Sequence, residues 1–515
     1  MEKILKKNKD IFLIMGFHVV MLILMICFFV KVSPYVLFDG DDWTYIGAFR
    51  KHLLTPSIHE WNPSKVYPEF AMPLTGMLSA KIIFPLINDY ILSLTVGMGI
   101  YTSVMVVILF LTIFLYIYRK INNNLAFSFA IEIVFLILSF LIFHSYDDKE
   151  SMHLFYSWTP VCLYNYMLAG IINACAVIFM MSFEKFEVEF KNWSLPVKLI
   201  CCVWFYFCIF SNLFDSLIIA LFSFLTLIRR IFIEYHPKVK KIKKKIVKNS
   251  FFDRFNNQAI YIYILLCWIL AAYMETKGGR AASVGGVKKI DILNTVKTFK
   301  DFLKNINISF AIISVAVLSY IFISALIYAK HKLKFDDLWK KYGEYIFNLV
   351  YFIAIVFSTL ILCGAVSPAY AGAVYTLWGI WIFLVFITLL GIAYILRELK
   401  VPLIGSLATI VILLGLTIFP KISLVDGGYV SNNDALNFDN YVVSEIIEAD
   451  KEDVTYLELH VPDMNENETD NWPLPDYMGI RLTNTLKRHG IIRNDINVII
   501  VPDAEINKKL GIEIK

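Results

Sequence analysis

Runs of about twenty apolar residues recur along this 515-residue chain, and they fix its class before any motif is considered. A helix of about 20 apolar residues crosses roughly 30 Å of hydrocarbon. Inside lipid every backbone N–H and C=O must be satisfied within the segment or by a closed barrel. The alternating pattern of barrel strands is missing, so the chain reads as an all-α polytopic membrane protein. Its 58% hydrophobic and 16% aromatic content agrees, because a soluble chain of this length needs far more polar surface.

About eleven spans are expected: 11–30, 92–118, 125–143, 161–182, 197–210, 214–228, 259–274, 308–329, 345–363, 373–396 and 401–419. The first is too long for a cleavable signal peptide, and no small-x-small site follows it. Lys3, Lys6, Lys7 and Lys9 precede it, which puts its start in the cytoplasm and residues 31–91 in a long outer loop. The segments then expected inside carry 25 Lys and Arg, and those expected outside carry 13. Seven of the 13 lie in one outer loop, 275–307. Ten of the 25 inner ones lie between Arg229 and Arg254, including Lys240 to Lys245, and read as a cytoplasmic anchor on anionic lipid. No aromatic residues are interleaved with the lysines of that run, so no nucleic-acid partner is expected.

Residues 1–419 form the membrane domain, and 420–515 a small extracytoplasmic α/β domain. In that tail Val454 to Leu459 alternates like a strand, and Asn497 to Val501 reads as a buried strand. Gly479 to His489 reads as an amphipathic helix with Ile480, Leu482 and Leu486 inward. All eight cysteines lie in or beside apolar segments, and no pair is spaced CxxC, so neither a disulfide framework nor a zinc site is indicated.

The chemistry-bearing residues concentrate in the first outer loop. Phe38-Asp39-Gly40-Asp41-Asp42-Trp43-Thr44-Tyr45 sets three carboxylates at the membrane surface. They suit a helix cap, with Trp43, Ile46, Phe49 and Leu53 on the apolar side of an interfacial helix. They equally suit a general base, Asp41 or Asp42, with Asp39 as helper. Arg50 and Lys65 are candidates to hold a phosphate, and Trp61 and Tyr67 to stack on a sugar ring. Asp147 and Asp148, with Glu150 and His153, form a second acidic patch on the same expected side. Arg280, in Lys277-Gly278-Gly279-Arg280, is a third candidate for the phosphate. Trp472, among prolines in Asn471 to Tyr477, is a candidate acceptor-binding residue. Glu132 and Asp215 are charges within apolar stretches, which draws attention to them by default. Glu132 is long enough to snorkel.

The first span running outward, the Asp41-Asp42 pair in a long first outer loop, the many later spans and the soluble outer tail together resemble the GT-C class of membrane glycosyltransferases. Within that class the chain is most similar to bacterial GtrII-type glucosyltransferases. The resemblance implies a bacterial multi-pass enzyme that takes sugar from a polyprenyl-phosphate donor. The acceptor is a cell-envelope polysaccharide or teichoic acid on the outer face, and the donor's tail lies between spans among membrane lipid. It implies no organic cofactor and leaves open a divalent cation, whose ligands remain unknown. It also implies an Arg soon after Pro368, where Ala371-Gly372-Ala373 stand instead. Two alternatives have different signatures. A polymerase of envelope repeat units also uses large outer loops. A flippase or transporter of envelope precursors should show broken helices and charges at the bilayer midplane.

Overall fold

In the computed structural model the described residues are 2–37, 40–50, 52–53, 58–143, 153–157, 159–233, 258–283, 290–330, 335–399, 432–463 and 478–511. The eleventh expected span, the 240–245 lysines, Asp39, Asp147, Asp148, Glu150 and Trp472 lie outside them. Eight helices among these residues are long and apolar enough to cross a membrane, and the protein is a helical, membrane-embedded one. We label the main helices α1 (Glu2–Cys27), α2 (Gly40–Gly47), α3 (Val66–Leu78), α4 (Tyr90–Tyr116), α5 (Leu125–Leu141), α6 (Leu168–Met181), α7 (Leu195–Ile209) and α8 (Leu213–Ile228). Then come α9 (Ala259–Lys277), α10 (Ile292–Phe302), α11 (Ile308–Lys330), α12 (Phe335–Val366) and α13 (Trp378–Glu398).

Local chemistry explains where these helices start and stop. Asp89, Asn124 and Asn212 cap α4, α5 and α8 by accepting the N–H of Leu92, Phe127 and Phe214 at 2.9, 3.0 and 2.9 Å. Within the apolar runs, hydroxyls turn back on their own helices: Ser103 Oγ donates to Gly99 O and Ser139 Oγ to Phe135 O. The segment Pro160–Met181 and α13 form the centre of the bundle, each with 83% of its most apolar window buried. Only 17% of the corresponding window of α1 is buried, so most of α1 faces lipid.

The ends of the bundle differ. Arg119, Lys120, Arg229, Arg230, Lys341 and Arg397 collect at one, where the far ends of α4, α8 and α13 meet. The opposite end carries α2 and the turn between α7 and α8. The apolar stretch Val66–Ile87, expected as loop, is one of the eight long helices. It starts where Tyr67 N–H donates to Phe210 O in that turn and finishes just before Tyr90, the start of α4. Both its ends therefore lie at the α2 end, and the helix runs across that end. It leaves Leu78, Ile82 and Leu86 exposed at a four-residue spacing.

The tail adds α14 (Asn432–Lys451), β1 (Tyr456–Pro462), α15 (Met478–His489), β2 (Asn497–Asp503) and α16 (Ala504–Leu510). β1 and β2 pair in parallel, Tyr456 opposite Asn497 through Pro462 opposite Asp503, with α15 as the crossover. Leu482 and Leu486 are buried as expected, but Ile480 is 59% exposed. The inward row of α15 runs Met478, Leu482, Leu486 and His489, and Ile480 lies off it. α15 packs on α2 at very close range. A Cβ on Gly47 would lie 2.0 Å from Thr485 Oγ1, and one on Gly479 would lie 2.2 Å from Val498 O.

Candidate active site

Gly40 opens α2, and Asp41 and Asp42 follow in its first turn. Their side chains part company. Asp41 is more than half exposed and forms an ion pair with Arg481 of α15 at 2.6 Å. Asp42 is fully buried, and its Oδ1 accepts the Val161 N–H at 2.7 Å. Asp42 thus caps the helical turn that Pro160 opens, a different helix from its own. The expected apolar face is also redrawn. Trp43 and Ile46 are buried inside the protein, and α2 ends at Gly47, before Phe49 and Leu53.

Behind α2 lies a buried polar group that the sequence did not single out. Asp439 of α14 is 2% exposed, its Oδ2 has no hydrogen-bond partner among the described residues, and Asp42 is the charge acting on it. Burial first, and the Asp42 charge second, push the Asp439 carboxyl well above the usual carboxylate range. Nearby, the Tyr90 hydroxyl lies 2.6 Å from His489 Nδ1, and burial pushes the His489 imidazole down to about 4.

The second centre is a cleft of about 90 Å³ at the same end of the bundle. It is lined by Lys65, Tyr166, Glu275, Arg280 and Tyr370 with apolar residues of α8 and α12. Two distant loops build it. Gly279 N–H donates to Glu60 O and Arg280 N–H to Trp61 O. A Cβ on Gly279 would lie 2.5 Å from Trp61 Cε3, so only a glycine lets the Trp61 ring sit there. Glu275 Oε2 accepts from Ser64 N and Ser64 Oγ at 3.2 and 2.6 Å, which fixes the approach to Lys65. The Arg280 guanidinium donates to Tyr370 Oη at 2.9 Å, and that bond holds its pKa above the usual value. Lys65 stands 5.5 Å from the Tyr166 ring centroid. Burial pulls the ammonium down and Glu275 opposes the pull. Among the described residues Lys65 Nζ has neither an ion pair nor a hydrogen bond.

Two of the sequence candidates have other occupations. Arg50 donates to both oxygens of buried Glu69 at 3.0 and 3.3 Å and covers the Tyr45 ring at 3.9 Å. Tyr67 meets the Tyr101 hydroxyl at 2.9 Å and lines an apolar groove of about 420 Å³ with Phe70, Leu74, Trp204 and Phe207. Lys65 lines the cleft and Tyr67, two residues on, lines the groove. Tyr45 lies between the two centres only at electrostatic range, and its close contact is with Arg50. His153 is buried against Phe140, with ring centroids 4.8 Å apart. Among the described residues no three His, Cys, Asp or Glu side chains are grouped to hold a metal ion.

Sequence reading brought forward Asp41, Lys65, Trp61 and Arg280, which the fold gathers at one end. It missed Glu275, Tyr166, Asp439 and His489. Glu275 alone carried a signal, as the acidic residue between an apolar run and the basic glycine turn. Comparison of the chain with protein-family models, curated protein sequences and solved structures finds no match.

Proposed function

We propose that the protein is a GT-C-like membrane glycosyltransferase. It moves a sugar from a polyprenyl-phosphate donor to an envelope polysaccharide or teichoic acid on the outer face. One observation carries this reading: Lys65 and Arg280, brought from separate loops, converge on a small cleft next to an apolar groove, at the end of the bundle that bears Asp41. A lipid phosphate has that combination of charge and tail. Arg280, bonded to Tyr370, supplies a guanidinium beside the Ser367-Pro368-Ala369-Tyr370 stretch, where the resemblance implied one.

In this mechanism the acceptor hydroxyl attacks the anomeric carbon. Asp41, the exposed carboxylate, takes the hydroxyl proton. The carbon–oxygen bond to phosphate breaks, and its electron pair stays on the phosphate. Lys65 and Arg280 hold the charge that develops there. Asp42 positions α2 through Val161, and Arg481 brings the tail to the base. The positive-charge bias supports an outer location for this end, with Asp41 and α15 facing the envelope.

Transfer of labelled sugar from polyprenyl-phosphate donors in purified membranes tests the reading. Asp41→Asn should lower turnover by roughly 10²-fold or more with the fold retained, since Asn suits a helix start nearly as well as Asp. Normal turnover in the folded variant would remove Asp41 as the base.

A further inference from the structure

The sequence marked Glu132 as a charge in an apolar run, and the mechanism above does not use it. The structure finds its partner. His18, midway along α1, places Nε2 3.2 Å from Glu132 Oε1, midway along α5. His18 is 8% exposed and Glu132 is fully buried. The snorkelling expected of Glu132 does not occur, because a histidine is nearer than the membrane surface. His18 Nδ1 lies 2.8 Å from Ile14 O. A carbonyl can only accept, so the Nδ1 proton is committed there. Nε2 and the Glu132 carboxyl, 3.2 Å apart, therefore attract only when one further proton sits on the pair, on either group. Phe17 and Phe129 stack beside the pair at 4.4 Å, and Phe114 packs edge-on to His18 at 5.7 Å, so the pair sits in an aromatic surround.

What the pair holds follows from the character of α1. A narrow strip containing His18, Met21 and Met25 packs α1 along α4, and its other sides face lipid. Apolar contact alone does not hold a helix to a bundle in hydrocarbon, because lipid tails solvate leucine as well as protein does. Lipid offers neither the imidazole nor the carboxyl a substitute for the other. α1 also leads directly, through Phe28–Val32 and residues 33–37, into α2 and its two carboxylates.

We infer that His18 and Glu132 form a one-proton tether that holds α1 against α5 and so sets the position of α2. They are positioning residues, remote from any reacting atom. The claim about α2 rests on the transferase reading, and the claim about the tether does not.

The test uses the full chain with its native cysteines replaced and carrying Phe17→Cys and Phe129→Cys, treated in native membranes with a short bifunctional maleimide. Crosslinking between these cysteines reports how closely α1 stays on α5. Glu132→Gln keeps a donor for Nε2 and should leave crosslinking within about twofold. His18→Leu with Glu132→Leu leaves no charge in lipid and no tether, and should cut crosslinking roughly fivefold, the scale of one interhelical hydrogen bond in a membrane. Glu132→Leu alone is a second tether-free variant should the double one fold poorly. In the transfer assay the tether-free variants should lose kcat with the donor KM unchanged. Crosslinking at the parent level in the leucine variants would overturn the tether. So would a glutamine variant as weak as leucine, which would point to proton transfer instead. Absence of sugar transfer in the parent would remove the transferase reading and leave the crosslinking result to decide the tether.

Discussion

The two ends of the bundle treat their cations differently. At the end opposite α2, Lys120 pairs with Glu184 at 2.9 Å, Arg229 with Glu344 at 3.1 Å, Arg230 with Glu187 at 3.4 Å and Lys341 with Glu398 at 2.9 Å. Arg119 and Arg397 donate to Ser182 Oγ and to the Ile121 carbonyl. Each of these cations is used by the protein itself. At the α2 end Arg50 is similarly committed to Glu69, but Lys65 is half-buried beside a cleft with its ammonium unshared among the described residues. A partly desolvated ammonium with no ion pair costs free energy unless something else balances it. The contrast separates charges that build the fold from a charge kept for a ligand.

The largest effect should come from breaking that contrast at Lys65. Lys65→Ala removes one of two cations proposed to stabilise the leaving phosphate, and should lower transfer roughly 10²- to 10³-fold, the usual loss for one such group. Thermal stability should change little, because the loss of a long contact with the Tyr166 ring is offset by the disappearance of a desolvated charge. Transfer rates and melting curves on the same preparation check both halves. A large loss of stability would mean that Lys65 has a structural partner and belongs with the paired cations.

Much of this contrast could be read from sequence, and the unread part has a physical reason. Apolar runs are long, and the mean period of a helix is robust, so seven of the expected spans coincide with helices long enough to cross, while 125–143, 197–210 and 214–228 fall on α5, α7 and α8, which are not among those eight. In the tail, alternation and the strand at Asn497 to Val501 located β1 and β2. Lys65 and Arg280 could be singled out because charged and glycine-rich loops next to spans are rare. Their convergence could not, since it depends on Glu60 and Trp61 carbonyls meeting the Gly279 and Arg280 amides. Asp42 looked like a cap for its own helix and caps the turn at Pro160, because burial and a distant N–H decide which group a carboxylate reaches. The helix across Val66–Ile87 was hidden by the polar loop around it. Composition alone does not distinguish a helix that lies along a surface from one that crosses, and here the tie to Phe210 does.

His489 sharpens the comparison from another side, as a buried titratable group at the α2 end that is held neutral. Its imidazole ionises near 6.5 when unfolded and is pushed down to about 4 in the fold. The unfolded chain therefore gains a proton first as pH falls. Stability from this group is complete above about 6.5, declines as pH drops, and is lost by about pH 4. The shift corresponds to about 3 kcal/mol at most. Asp439, pushed the other way by burial and by Asp42, contributes a penalty that grows as pH rises above the ordinary carboxylate range, so the two slopes oppose each other. Comparing unfolding of the native chain with His489→Gln between pH 7 and 4 isolates the histidine. Identical pH slopes in the two proteins would show that the imidazole is not sequestered.

The smallest effect belongs to the paired end, and its smallness is informative. Arg229 bonds Glu344 at 3.1 Å and covers the Phe347 ring at 4.9 Å, but the Glu344 side chain is 40% exposed. Solvent screens such a pair, and ordering two long side chains offsets most of the attraction. Coupling between Arg229→Ala and Glu344→Ala in a double-mutant cycle should therefore stay under about 1 kcal/mol, with transfer activity unchanged. The neighbouring Arg230 and Lys120, already bonded to Glu187 and Glu184, limit the loss further, because the local charge balance survives the removal of one pair. A coupling of several kcal/mol would show that solvent does not reach this end as its exposure suggests. Loss of transfer from a change so far from Lys65 would show that the paired cations, too, take part in function.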